Sequence, residues 1–248
     1  MKTLLTLACA SLLFASIASY GKEKLTFYTE QFPPYNMTMD GKAFAHKAED
    51  ISGLCTDMVK QMIAQLPYDT QIKLRNWNYG MSTVKRKLNH GLFCTARTPE
   101  REDSFKWVGP LTEIRWMLFA KPDSSITLES LDDARQYKIG GYKGDVMTAY
   151  LEDKGFEVSA LVNDSVNPKR LLLGQIDLWV ADELSGPYVA SDSADINGLK
   201  PVLQFNASPL YLAMNADTDQ RIIDELNKAF ESVRRSGQLE VIERTYGR

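Results

Sequence analysis

Apolar residues recur along the chain in short clusters that switch between two spacings. Leu25 to Thr29 is a compact apolar-rich run of strand length. Leu54, Met58, Val59, Met62, Ile63 and Leu66 then fall at intervals that keep them on one face of a helix. Pro67 stops that helix, since proline has no N–H to donate and crowds the preceding turn. Ile72 to Leu74, Gly91 to Cys94 and Trp116 to Ala120 are three further short strand candidates. After Pro122 a second series begins. Lys138 to Gly141 is a strand, Lys143-Gly144-Asp145 a turn, and Val146, Ala149 and Tyr150 start a helix that Gly155 ends. Leu171 to Leu173 closes a short helix at Gly174, Ile176 to Ala181 is a strong strand, and Tyr211 to Met214 a late one. Asp217 can cap a last helix carrying Ile222, Ile223, Leu226, Ala229, Phe230 and Val233, with Gly237 as its stop. Alternation of this kind predicts an α/β fold of mostly parallel sheets covered by helices.

One apolar run stands apart. Leu4 to Ala15 follows the single charge of Lys2 and leads into the small residues of Ser16-Ile17-Ala18, so residues 1–18 read as an export signal. A membrane anchor is the alternative, but the run is short and rich in Ser and Ala. Cys9 suggests a lipoprotein, yet Thr6-Leu7-Ala8 ahead of it is a poor lipobox. The expected location is therefore the periplasm. A hydrophobic fraction of 44% with 25% charged residues excludes a disordered or collagen-like chain. The net charge of -3, with no block of Lys or Arg, gives no electrostatic footprint for nucleic acid.

Export changes the meaning of the cysteines. Cys55 and Cys94 remain as an even pair in an oxidising compartment. A bridge between them, the preferred reading over two buried thiols, would close a loop of roughly 40 residues and add up to about 4 kcal/mol. With only His46 and His90 in the chain, no persuasive metal site accompanies them, and both histidines read as surface residues. No cofactor motif is present in the sequence.

Four features in order resemble the bacterial extracellular solute-binding proteins of family 3, the periplasmic amino-acid-binding type. The first strand runs into Thr29-Glu30-Gln31-Phe32-Pro33-Pro34-Tyr35, and Gly53 opens the first helix with Asp57 behind it. Thr98-Pro99-Glu100-Arg101-Glu102 precedes Phe105 to Pro110. Gly174-Gln175-Ile176-Asp177-Leu178-Trp179-Val180-Ala181-Asp182 carries the family's strand motif, and Ser236-Gly237-Gln238 follows the C-terminal helix. The resemblance implies a two-lobed clamshell. Lobe one would hold residues 22–111 and 209–248, lobe two residues 112–208, with crossings near Thr112 to Arg115 and Asn206 to Ser208.

The same resemblance assigns site roles. Arg101 would grip a ligand carboxylate with its planar guanidinium, and Asp182 would accept a ligand ammonium. Glu30, Phe32, Tyr35, Trp77 and Tyr142 would line the cleft, where aromatic faces suit an apolar body or a cation. Gly144 and Asp145 would feed a helix N-terminus that suits an anion. Two departures bear on the ligand: Asp145 stands where amino-acid binders carry Thr or Ser, and Ala96 replaces a hydroxyl donor. Asp145 would either repel a carboxylate or cap the helix. Together Glu30, Asp145, Asp182 and Glu183 would make an acidic cleft, with Arg97 available to pair with them.

Three functions fit this reading. The first is a non-catalytic, monomeric receptor for a small polar ligand, amino-acid-like or amine-bearing, with a membrane permease of the ABC type as possible partner. The second is a dehydratase-like enzyme using Asp182 or Glu183 as acid or base, without support from a nucleophile constellation. The third is a sensor or accessory binding module.

Overall fold

The computed structural model describes residues 22–247, and the expected leader at residues 1–18 lies outside the described residues. The chain begins with β1 (Lys24–Thr29), a short ribbon of β2 (Met37–Thr38) and β3 (Ile51–Ser52), and helix α1 (Leu54–Ile63). It continues through β4 (Asp69–Leu74), α2 (Trp77–Arg86), β5 (His90–Ala96) and β6 (Phe105–Ala120). Next come β7 (Ile139–Tyr142), α3 (Val146–Asp153), β8 (Val158–Leu161), α4 (Asn167–Leu172), β9 (Leu178–Asp182) and α5 (Ser185–Ala194). The last elements are β10 (Lys200–Asn215), α6 (Gln220–Arg235) and α7 (Gln238–Thr245).

Eight strands form one sheet in the order β4-β1-β5-β10-β6-β9-β7-β8. Both outer parts are parallel: β1 lies between β4 and β5, and β7 between β8 and β9. The centre is antiparallel, because β10 runs against both β5 and β6, and β6 against β9. The outer strands are covered on both faces, so β1 is buried at five consecutive positions instead of alternating. Residues 112–115 and 206–208 lie side by side within β6 and β10, where Ala207 faces Arg115 and Ser208 faces Ile114.

Helical periodicity locates α1 and α6 well. In α1 the buried residues include Leu54, Met58, Val59, Met62 and Ile63, and in α6 all six apolar positions named above are buried. Three details differ. Leu66 falls beyond α1, because the chain tightens into i→i+3 turns after Ile63. The cap of α6 is Asp219, which accepts the Arg221 N–H at 2.8 Å, while Asp217 sits in the preceding turn. Gly237 does end α6, with φ +76, but the chain then forms α7.

The pattern also understates the two long strands and does not mark β2, β3, α2, β8, α5 or α7. Trp116 to Ala120 and Tyr211 to Met214 are parts of 16-residue strands. Pro110 and Pro209 interrupt the apolar pattern inside them, and irregularities in the β6–β10 register keep the ladder going. Helix α2 carries Gly80, Asn78 and Ser82 between Trp77, Met81 and Val84, which do fall on one face, while α5 is rich in Gly, Ser and Pro and carries little apolar periodicity. Gly53 is required where it stands: its φ is +123, and a Cβ there would lie 2.4 Å from the Tyr35 carbonyl oxygen.

Cys55 of α1 and Cys94 of β5 are joined by a disulfide. It ties the first helix to the sheet beneath it. A separate apolar cluster around Trp179, Phe119, Leu171 and Ile176 supports the other end of the sheet.

Candidate ligand-binding cleft

The candidate residues sit where parallel strands end and their following loops begin. Glu30 follows β1, Ala96 ends β5, Tyr142 ends β7 and Asp182 ends β9. Ligands of open α/β sheets bind at such carboxyl ends, because the strands stop and the loops part there. Two adjoining chambers of about 440 Å³ each occupy this region. They share Gln31, Phe32, Tyr142, Asp145 and Val162.

The first chamber contains Glu30, Trp77, Ala96, Arg101, Gly144 and Asp145. Arg101 donates from Nη1 to the Ala96 carbonyl at 3.1 Å and lies over the Trp77 ring, 5.3 Å from its centroid. Trp77 opens α2, whose N-terminus is capped by Asn76 accepting the Asn78 N–H. The cation–π contact and the single hydrogen bond hold the guanidinium while leaving most of its N–H donors for a ligand. Burial lowers its pKa, and the nearby Asp145, Glu100 and Glu30 oppose that shift. Glu30 is pushed up to about 8, mainly by burial and further by the Asp145 carboxylate, with Arg101 pulling the other way.

Asp145 is both a chamber wall and a helix cap. Its Oδ1 accepts the Met147 N–H at 2.8 Å, so the N-terminus of α3 is served by the chain's own carboxylate. Of the two roles left open by the sequence for Asp145, helix cap is the one this bond serves. Burial raises Asp145 to about 6 against the stabilising bonds from the helix.

The second chamber is lined by Asp145, Asp164, Asp182 and Asp192, and among the described residues no Lys, Arg or His lines it. Asp182 is fully buried. Its Oδ1 accepts the N–H groups of Leu184 and Ser185, each at 3.0 Å, and the Tyr35 hydroxyl at 2.9 Å. Its Oδ2 is buried without a hydrogen-bond partner among the described residues. Burial lifts Asp182 to about 6, with the three donors lowering it. Asp164 accepts Asn167 Nδ2–H at 2.8 Å and Trp179 Nε1–H at 3.0 Å, and burial likewise lifts it to about 6. Among the described residues no three His, Cys, Asp or Glu side chains are grouped to hold a metal ion.

A model of the bacterial extracellular solute-binding proteins, family 3, matches residues 25–248. The chain belongs to this family. Solved structures agree on its fold, a two-lobed clamshell of the periplasmic-binding-protein kind. A histidine kinase sensor domain with similarity to periplasmic binding proteins superposes with TM-score 0.78 at 19% identity, covering 91% of this chain and 96% of that one. The arginine-, lysine-, histidine-binding protein ArtJ from Geobacillus stearothermophilus gives 0.74 at 17% identity, over 91% and 95% of the two chains. AncCDT-1, an ancestral amino-acid-binding protein and precursor of cyclohexadienyl dehydratase, gives 0.74 at 15%, over 91% and 95%. No curated protein matches the chain in sequence. Among the described residues no helix is long and apolar enough to cross a membrane.

For this solute-binding protein, the structure groups Glu30, Phe32, Trp77, Arg101, Tyr142, Gly144 and Asp145 around one chamber. Asp182 lines the adjoining one. Tyr35 does not line either chamber. It is fully buried, stacks on Phe32 at 4.8 Å and supports the cleft from behind through its bond to Asp182. Glu183 faces away, paired with Arg115 at 2.8 Å, so it does not add to the acidic wall. Arg97 pairs with Glu102 and lies over the edge-on pair of Trp107 and Tyr211 rings, not against the cleft acids. Asp164 carries no local signal of a cleft role, because Asn163-Asp164-Ser165 reads as a turn.

Proposed function

We propose that this protein is a non-catalytic receptor that encloses a small amine-bearing, amino-acid-like ligand between its lobes. The observation that carries the reading is Arg101, held open by Trp77 and Ala96, set in a cleft otherwise dominated by buried carboxyls. A carboxylate on the ligand would meet the guanidinium, and its positive group would meet the acids. Residues 22–111 with 209–248 would form one lobe and residues 112–208 the other, hinged where β6 and β10 pair. An exported, monomeric protein serving an uptake permease fits the family, as do the amino-acid-binding names of several structural relatives. A dehydratase-like role is less favoured: Glu183 is committed to Arg115, and Asp182 is held by three donors. Native mass spectrometry of freshly purified protein tests the reading. A retained small amine-bearing molecule supports it. Protein that releases no ligand and binds no amino acid or amine in calorimetry contradicts it.

A further inference from the structure

Cys94 interrupts the strand it belongs to. In the β5–β10 ladder Phe93 lies opposite Leu212 and Thr95 opposite Tyr211, so Cys94 is an extra residue between the two pairs, a β-bulge. Its φ is +61, in the left-handed region that crowds a side chain with a Cβ. Among the described residues the other non-glycines with positive φ are Asn89 and Asp195, whose short polar side chains tolerate that region. A cysteine there needs the surrounding structure to hold it. The disulfide to Cys55 does so covalently, and the Thr95 hydroxyl spans the bulge to donate to the Leu92 carbonyl at 3.0 Å. The bulge lies at the first chamber. Cys94 and Ala96 both line it, and the Ala96 carbonyl accepts the Arg101 Nη1–H. The other end of the disulfide reaches a second wall. The N–H groups of Leu54 and Cys55 donate to the Pro34 and Tyr35 carbonyls, each at 3.0 Å, in the loop whose Phe32 lines the same chamber.

We infer that the Cys55–Cys94 disulfide is a positioning element for ligand binding: it holds the bulge at Cys94 and, through it, the Ala96 carbonyl that orients the Arg101 guanidinium. This rests on the receptor reading above and adds the device that keeps its arginine in place. Without the bulge the ladder beyond Phe93 would shift by one residue and turn Thr95 and Ala96 to the opposite faces. Arg101 would then lose its carbonyl acceptor, and its remaining donors would no longer be aimed into the chamber.

Two double variants separate positioning from bracing, because both lack the disulfide. Cys55→Ala with Cys94→Ala leaves a Cβ in the left-handed region, whereas Cys55→Ala with Cys94→Gly removes it and lets the bulge persist without strain. The first readout is calorimetry with L-arginine as the probe. The first variant is expected to bind about tenfold more weakly than wild type, and the second to recover most of that loss although its disulfide is equally absent. Thr95→Val keeps the disulfide but removes the bond across the bulge, and it should weaken L-arginine binding in the same direction. Wild-type affinity in both folded double variants, or equal weakening of the two, would overturn the inference and leave the receptor reading standing. Where the disulfide-free proteins do not fold, wild-type affinity in Thr95→Val overturns it. If L-arginine does not bind the wild type, the receptor reading loses that ligand and amide hydrogen exchange decides the inference. Residues 92–101 should exchange faster in the first double variant than in the second, and equal exchange overturns the positioning role.

Discussion

The part of the sheet built on β1, β4 and β5 and the part built on β7, β8 and β9 bring opposite chemistry to the cleft. The first supplies the guanidinium of Arg101, the indole of Trp77 and the buried Glu30, and it is braced by the Cys55–Cys94 disulfide. The second supplies Asp145, Asp164 and Asp182, each steadied by backbone or side-chain donors of its own loops. One side is held by a covalent tie and a cation–π stack, the other by hydrogen bonds at helix starts and strand ends. Tyr35 links them, since its ring packs on Phe32 and its hydroxyl reaches Asp182. A cleft whose walls are separately rigid can recognise charge at both ends of a ligand and still move at the strands between them.

Removing the brace gives the largest expected effect. Cys55→Ala with Cys94→Ala opens a loop with sequence separation 39 and should cost about 4 kcal/mol, read as a lowered Tm by calorimetry. A double variant that melts with the wild type would show that the brace contributes nothing and that the two sides are equally robust.

Arg101→Ala tests the cationic side. Loss of one partner of a buried charge-assisted contact costs about 2–5 kcal/mol, so affinity for a carboxylate-bearing ligand should fall roughly 30-fold or more. The apo protein should stay folded, because the Arg101 side chain donates only one hydrogen bond among the described residues. Tyr35→Phe tests the link. Losing a hydroxyl bond to a carboxylate should lower stability by about 1.5–3 kcal/mol and widen the apo envelope in solution scattering. Scattering identical to wild type would mean that the bond does not hold the two sides together.

The acidic side predicts a pH dependence with a definite sign. Asp145, Asp164 and Asp182 are raised to about 6 and Glu30 to about 8. Each binds its proton more tightly folded than unfolded, so the stabilisation is complete below about pH 4 and is lost as pH rises through about 6 and then about 8. Tm of the apo protein, measured by scanning calorimetry across that range, should decline. A saturating cationic ligand favours the ionised carboxylates and should flatten the decline. The smallest effect is expected at the last helix: Asp219→Ala removes the cap of α6 and should cost about 1 kcal/mol, whereas Asp217→Ala should not.

Much of this architecture was legible in the chain. Six apolar positions at helical spacing specified α6, and Gly144 followed by Asp145 announced the turn and cap that open α3. Trp77, Glu30 and Arg101 were named from motif context and do meet in one chamber. Asp164 was not legible as a cleft residue, nor was the helical state of Ser185–Ala194, because neither departs locally from what turn composition would give.

The sequence by itself determined which faces of its helices and strands are apolar, where most elements start and stop, and which residues could carry charge to strand ends. Those are short-range properties, set by spacing of a few residues and by the conformations open to Gly, Pro and Asp. Only the tertiary structure decided which charges remain for a ligand. Arg97 is taken by Glu102, Glu183 by Arg115 and one oxygen of Asp182 by Tyr35, 147 positions away, while the Arg101 side chain keeps donors to spare beside Trp77. That choice follows from which loops the order of strands places side by side, and from the burial that makes an unpaired charge costly.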